Sequence, residues 1–496
     1  MNSVTHEHRR FLSQLSIQAM TEHGLRPEIS AEARQEVAQM TGPAKADSPE
    51  LKDLRGLLWC SIDNDDSRDL DQLSCSEIVP SDSGEQVRIW VAIADVDALV
   101  RQGSAVDEQA CANTTSVYTS AKIFPMLPDR LCYDLTSLNP HQDRLALVCE
   151  MLFSSSAELL SAQIYRAWVN NHCQLAYDAV SAWLEGQGPL PAAAQPVPGM
   201  VEQLKVQDRL AQQLRLRRHQ QGALEFESFQ PRAQFENEQI TGLDLQPHNR
   251  ARQLIEELMV ATNGCTARFL GTHGGASIRR VVRSPERWQA IVAVAKSHGF
   301  DLPHEPNGQA LETFLAQQHR LDPLRFPDLS LVIIKLMGSG EYVVERNHLH
   351  PVGHFGLAVR DYTHSTAPNR RYPDVITLRM IKAILAHQPS PYSDEALNAL
   401  ALHCTRQEDA SRKVERQMRK SEAALLLQHR IGQFFNAVVT GTADKGTWVR
   451  VFEPPVEGKL VGHLPPLRVG QKLRVKLVTT QVERGFIDFV LVNSAG

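Results

Sequence analysis

Apolar positions recur at helical spacing through the first forty residues. Phe11, Leu15, Ile17 and Met20 predict an amphipathic helix, and a second run covers 30–40. Residues 42–51, with Pro, Ala, Lys and Asp, read as a linker. From Leu54 the texture changes. Strands are predicted at 56–62, 73–79 and 87–96, with an acidic loop at 63–72 and a Pro-Ser-Asp-Ser-Gly turn at 80–84. The β pattern continues over 144–153 and 161–170. Helical spacing returns at 177–186, a Pro-rich connection follows at 186–199, and a long helix covers 201–221. Further helices are predicted at 249–270, 285–298 and 308–319, then a loop around 339–373, then helices at 374–386 and 393–433.

The last segment, 434–492, alternates short strands with turns. Five strands in so short a stretch predict a Greek-key barrel of the OB type. Along 447–452 the two-residue period puts Trp448, Arg450 and Phe452 on one face, which suits base stacking and phosphate contact. The alternative is that Trp448 and Phe452 fill the barrel core. The fold class is therefore α+β, a mixed sheet surrounded by helices with a small all-β barrel behind it.

Composition narrows the function classes. The chain has 496 residues, which suggests about three domains. A hydrophobic fraction of 42% with 22% charged residues is ordinary for a globular protein and excludes wholesale disorder, collagen and a coiled-coil rod. The longest apolar runs, 145–153 and 329–337, are too short to cross a bilayer, and MNSVTHEHRR carries no apolar leader, so no membrane partner is expected. Eight scattered cysteines without a CxxC pair argue against a zinc ribbon or a disulfide framework and fit a reducing cytoplasm. The net charge of −5 does not advertise a nucleic-acid binder, so any such role rests on local basic surface.

The densest chemistry lies in Ser61-Ile62-Asp63-Asn64-Asp65-Asp66-Ser67-Arg68-Asp69-Leu70-Asp71-Gln72, with five carboxylates in nine residues. Asp69 and Asp71 are two apart and point the same way in an extended stretch. Converging carboxylates repel unless a cation neutralises them, and hard oxygen donors suit Mg²⁺, with Mn²⁺ as the substitute. Two such ions side by side activate water and stabilise a leaving oxygen at phosphorus. A solvated acidic loop is the bland alternative. An EF-hand fails, because its sixth position is Arg68 and its twelfth Ser74. His348, His350 and His354 find no cysteine or carboxylate at zinc spacing and read as structural or RNA-proximal.

Other short motifs stand around this loop in a fixed order. They are Ile93-Ala94-Asp95-Val96, Thr115-Ser116-Val117-Tyr118, Pro125-Met126-Leu127-Pro128 and Leu135-Thr136-Ser137-Leu138. Then come Ile255-Glu256-Glu257-Leu258-Met259, His354-Phe355-Gly356-Leu357-Ala358, Tyr362-Thr363-His364 and Ala367-Pro368-Asn369-Arg370-Arg371-Tyr372-Pro373-Asp374. In this order and spacing the chain resembles the ribonuclease II family, whose catalytic module is the RNB domain, from about Leu54 to His429. Its tail resembles an S1 domain. The domains expected are a helical module with its linker at 1–50, an RNB domain at 51–430 and an S1-like barrel at 431–496. The paired cold-shock domains of many relatives do not fit into the first fifty residues, which either pack on the next domain or contact RNA weakly.

The resemblance implies a processive, Mg²⁺-dependent 3′→5′ exoribonuclease, cytoplasmic and monomeric. It would hydrolyse single-stranded RNA to nucleoside 5′-monophosphates with two metal ions. Asp63, Asp69 and Asp71 match three of the family's four metal-binding carboxylates. The fourth position is Gln72, whose amide oxygen ligates without neutralising charge. That departure carries the rival reading, a catalytically impaired RNA-binding protein on the RNB fold. A third reading is a two-metal phosphoesterase with another substrate. Arg370 would clamp the scissile phosphate, with Arg371 as the second choice; the alternative is a loop arginine paired with Asp374. Tyr118 would stack on the terminal base and Tyr177 would line the RNA path, against the alternative of a core tyrosine. Glu256 would meet the ribose 2′-OH, with Glu257 as its helix-surface neighbour. Glu415 would lie near the RNA end, on a basic helix at 406–420 that pairs with phosphates or forms a solvated salt-bridge face.

Overall fold

A computed structural model of the chain describes residues 8–46, 50–82, 84–226, 231–236, 238–245, 249–273, 275–323, 325–346, 352–443 and 446–492. Two helices come first, α1 (His8–Glu22) and α2 (Ala31–Gln39). A seven-stranded sheet follows. Its members are β1 (Lys52–Asp53), β2 (Cys60–Asp63), β3 (Gln72–Val79), β4 (Gln86–Ala94), β7 (Asp143–Phe153), β8 (Leu159–Asn170) and β9 (Cys173–Ala176), in the order β1-β8-β7-β4-β3-β2-β9. Between β4 and β7 lie α3 (Ala105–Asn113) and a small hairpin of β5 (Val117–Tyr118) and β6 (Ile123–Phe124).

Ile89 to Ala94 are all buried, as expected of a strand covered on both faces. The cover includes α5 (Met200–Gln220), packed on β3 and β4, and α6 (Arg250–His273), packed on β7 and β8. The short helix α4 (Tyr177–Leu184) follows β9 directly. β10 (Pro231–Glu236) and β11 (Gln239–Leu245) form an antiparallel ribbon, and β12 (Ser277–Val281) pairs with β13 (Glu341–Glu345). Three helices, α7 (Trp288–Ser297), α8 (Gly308–Leu321) and α9 (Phe326–Met337), bury a separate apolar cluster around Phe314 and Ile291. Then come α10 (Tyr372–Leu385) and α11 (Asp394–Leu427).

The tail is a closed barrel of β14 (Phe434–Ala443), β15 (Gly446–Val451), β16 (Val456–Val461), β17 (Lys472–Gln481) and β18 (Phe486–Leu491). Val449 and Val451 point into it and are fully buried. Trp448 therefore sits half-buried on the outer face and Phe452 is exposed, so neither fills the barrel core. Arg450 departs from the expected phosphate-facing role. It is buried against α9, where Nη1 lies 2.7 Å from Asp328 Oδ1 and Nη2 donates to Oδ2 at 2.9 Å. A guanidinium committed to a carboxylate in this way couples the barrel to the helical layer.

Three elements differ from expectation. The apolar run at 329–337 is part of α9, begun by Pro327 in the first turn, where a missing N–H costs nothing. The loop expected at 339–373 contains β13 and a 3₁₀ turn at Phe355–Leu357. The long C-terminal helix stops at Leu427 rather than 433.

α11 joins two cores. Leu397, Ala401 and Cys404 belong to the core of the large sheet, whereas Val414, Met418 and Leu427 share a second core with the barrel. Leu12, Leu15, Ala19 and Met20 of α1 enter that same second core, and Ala33 and Val37 of α2 enter the first. α1 and α2 thus pack on the rest of the chain. Where α11 meets the barrel, Gly485 has φ +63°. A Cβ there would stand 2.6 Å from Lys420 Cβ and 3.0 Å from its carbonyl carbon. Gly485→Ala should therefore destabilise the barrel by about 2 kcal/mol or more, by strain and by pushing α11 away. Thermal melting followed by Trp fluorescence checks this.

Candidate active site

The site is assembled where strand pairing brings distant loops together. β2 runs parallel to β9, with Asp63 opposite Ala176. The residue after Ala176 is Tyr177, so the end of the acidic β2 and the start of α4 lie side by side. The Asp63 charge is one of the causes, after burial, that raise the Tyr177 phenol. Arg252 of α6 stacks on Tyr177, 4.5 Å from the ring centroid, and donates to Asn64 Oδ1 at 2.7 Å. Asp63 Oδ1 accepts from the Asn64 N–H at 2.7 Å and from Ser67 Oγ at 2.9 Å, which folds the loop back on itself.

Asp71 is 1% exposed and anchors the second contact. Its Oδ1 accepts from the Asn369 N–H at 2.8 Å and its Oδ2 from Arg370 Nε at 3.0 Å. Burial pushes its carboxyl up to about 7, although Arg370 pulls the other way and the Asp69 charge adds to the rise. Burial also raises Asp69, again opposed by Arg370 and reinforced by Asp63. These acids and Arg370 are therefore one electrostatic unit, in which the guanidinium offsets the repulsion of the carboxylates.

The loop that carries Arg370 also fixes Tyr118. Ser116 N–H donates to Arg370 O at 3.0 Å and Tyr372 N–H to Thr114 O at 2.8 Å. Tyr118 then donates its hydroxyl to Asp69 Oδ2 at 3.4 Å. Its backbone N–H donates to Glu415 Oε1 of α11 at 3.1 Å, so Glu415 holds the tyrosine's backbone. Around these groups lies a cavity of about 310 Å³ whose lining includes Asp63, Asp69, Tyr118, Tyr133 and Arg370. Arg68 stacks over Tyr133, 4.7 Å from its centroid, and both line the cavity.

Other expected residues lie elsewhere. Arg371, the second choice beside Arg370, is the arginine paired with Asp374: Nε donates at 2.9 Å to Oδ2 and Nη2 at 2.8 Å to Oδ1. Glu256 is exposed on α6, 3.6 Å from Arg218, and is not among the cavity's lining residues. Glu257 is not a surface neighbour. It is buried, with both oxygens on Arg218, Nε donating at 2.8 Å. Trp448 stands on the barrel. His348 and His350 lie outside the described residues. His354 is half-buried, and its Nδ1 accepts from the Leu357 N–H at 3.1 Å to cap the 3₁₀ turn. Sequence reasoning missed Arg252, Tyr133 and Arg68. Arg68 stood inside the quoted acidic run, but only the fold shows its stack.

Residues 51–387, more than half of the chain, match the RNB domain model. The chain belongs to the RNB family of ribonuclease II. Residues 433–492 match the RNase II-type exonuclease C-terminal S1 domain. Among curated relatives, Ribonuclease R of Vibrio cholerae is 30% identical over 520 residues, covering 96% of this chain and 61% of the relative. Ribonuclease R of Escherichia coli is 29% identical over 500 residues, covering 93% and 60%. The chain thus spans about three fifths of their length. A solved Mycoplasma genitalium RNase R in complex with ribose-methylated single-stranded RNA shares the fold, with TM-score 0.86, 22% identity, and 96% of this chain and 77% of that one covered. Yeast Ssd1, described as a pseudonuclease, shares it at TM-score 0.72 and 16% identity, over 93% of this chain and 57% of that one.

Two of the acids expected to bind metal, Asp63 and Asp69, line the cavity together with Asp66. Mg²⁺ commonly takes one or two carboxylates and completes its shell with water and substrate phosphate, so this pair fits one such ion. Asp71 is committed to Arg370 and Asn369, and Gln72 is buried at the head of β3, away from the lining. Among the described residues, no three acidic, His or Cys groups converge to hold an ion.

The cap on the 3₁₀ turn titrates. Burial, helped by Arg280 and Arg218, pushes the His354 imidazole down to about 4. The unfolded chain therefore binds this proton more readily, and the cap's stability is complete above about 6.5 and lost as pH falls towards 4. His354→Asn keeps an acceptor without a titrating group. Denaturant melts at pH 7 and pH 5 should show a smaller loss for the variant.

Proposed function

We propose that this chain is a 3′→5′ exoribonuclease that degrades single-stranded RNA to nucleoside 5′-monophosphates. The observation that carries the reading is the union, in one cavity, of Arg370, the acids Asp63 and Asp69, and Tyr118. The relatives named Ribonuclease R support it.

Asp63 and Asp69 would hold Mg²⁺, with Mn²⁺ as the substitute. The ion, when bound, supplies Lewis acidity at phosphorus and makes water a better nucleophile. Asp71 holds Arg370 from behind through Oδ2, so the guanidinium faces the cavity already oriented. Its remaining N–H groups clamp the non-bridging oxygens of the scissile phosphate and offset the charge that grows there. Tyr118 presents an aromatic face to the terminal base, a contact that tolerates any sequence. Its hydroxyl, bonded to Asp69, ties base placement to ion placement. Glu415 is a positioning residue for Tyr118 through the backbone bond.

The second reading, an RNA-binding protein without turnover, is favoured by Gln72 and by the commitment of Asp71 to Arg370. A 5′-labelled single-stranded RNA separates the two. The product ladder should shorten from the 3′ end and stop with EDTA; strand binding with an unchanged ladder at high Mg²⁺ and Mn²⁺ supports the second reading. Equal turnover of oligodeoxyribonucleotides would point to a phosphoesterase indifferent to the 2′-OH. Asp71→Asn leaves Arg370 without its charged anchor and should lower kcat by about 10²-fold or more while strand affinity persists. A variant that digests the RNA at the normal rate removes the site assignment.

A further inference from the structure

Beyond the wall formed by Tyr118 and Ile123 lies a second cavity, of about 650 Å³. It shares Asp66, Tyr118 and Ile123 with the first, so the two are neighbours. Arg9, Lys122 and Arg419 bring cations to it from α1, the β5–β6 hairpin and α11. Glu415, Arg419 and Glu422 sit at i, i+4 and i+7 on α11 and so form one stripe facing it.

Glu422 has no part in the mechanism above. It is 1% exposed. Oε2 accepts from Ser120 Oγ at 3.0 Å, whereas Oε1 has no hydrogen-bond partner. A buried carboxyl oxygen left without a donor is costly, and such groups in native proteins usually have a function. Burial pushes this carboxyl up to about 7, with Ser120 and Arg419 pulling the other way. The lining thus sets three cations beside Asp66, Glu415 and Glu422, and Arg9 also lies 3.6 Å from Glu238. A matching ligand needs an anionic group for the cations and a polar edge for Glu422, and its size must suit a few hundred cubic ångströms. A nucleotide meets all three demands, through its phosphate and through the base or ribose.

We propose that this outer cavity is a nucleotide site, in which Glu422 hydrogen-bonds the base or ribose and Arg9, Lys122 and Arg419 hold the phosphate. The occupant is either the released 5′-monophosphate or an upstream nucleotide of the bound strand. The inference rests on the exonuclease reading only for that source.

The test is a calorimetric titration of the full chain with 5′-AMP, 5′-GMP, 5′-CMP and 5′-UMP in EDTA. The parent and Arg370→Ala should both bind. Glu422→Leu and Lys122→Ala should bind at least tenfold more weakly. Glu422→Gln has the same shape, which guards against a misfolded leucine variant; it should retain binding and change the order of the four bases. Oligo(A) RNA that displaces 5′-AMP assigns the cavity to the strand, and simultaneous binding of both assigns it to the product. Unaltered titration of Glu422→Leu and Glu422→Gln, no binding by the parent, or binding lost only with Arg370→Ala would each overturn the proposal. A missing product ladder with these titrations intact would remove the hydrolytic reading and leave the cavity standing.

Discussion

A carboxylate with almost no exposure, Asp71, meets a guanidinium from a loop about three hundred positions away in the chain. Bringing like charges this close is unfavourable unless a cation is placed among them. Arg370 is that cation, and its loop is held in turn by the bond from Asn369 to Asp71 and by the bridge to Thr115. The same bridge sets the start of the β5–β6 hairpin and hence Tyr118. One ion pair therefore aligns the acidic loop, the arginine loop and the aromatic wall.

Much of this was legible in the sequence, and the illegible part has a common cause. A continuous apolar run revealed the central strand because its neighbours cover it on both faces, and the two-residue period fits the barrel, where Val449 and Val451 alternate with Trp448 and Arg450. The acidic run was visible because five carboxylates rarely gather without reason. What stayed hidden was pairing at long range. Nothing in the local run around Arg371 says that Asp374 takes it rather than Arg370. Nothing near Glu415 says that it accepts from the backbone of Tyr118. Arg252 shows no motif at all, yet it bridges Tyr177 and Asn64. α9 was read only as an apolar run, because helix and strand cannot be told apart in a short apolar stretch. Arg450 followed the alternation rule correctly but met Asp328 instead of solvent.

The mild net acidity of the chain conceals a division of charge. Cations line both cavities, Arg370 and Arg68 the first and Arg9, Lys122 and Arg419 the second. Acids share those linings, Asp63, Asp66 and Asp69 in the first and Asp66, Glu415 and Glu422 in the second, while others such as Glu257 and Asp374 are held in internal pairs with Arg218 and Arg371. A strand arriving at this surface meets a local field that the total charge does not disclose.

The unbroken run of α11 has a consequence for descent. Its first half is phased to one core and its second half to another, with a single rigid rod setting the angle between them. Deleting one residue between Cys404 and Ala410 would turn everything beyond it by about 100° and draw it in by about 1.5 Å. The barrel would then face away from its seat on α9, and α1 would lose its groove. Length changes in the middle of that rod are closed to lineages of this protein.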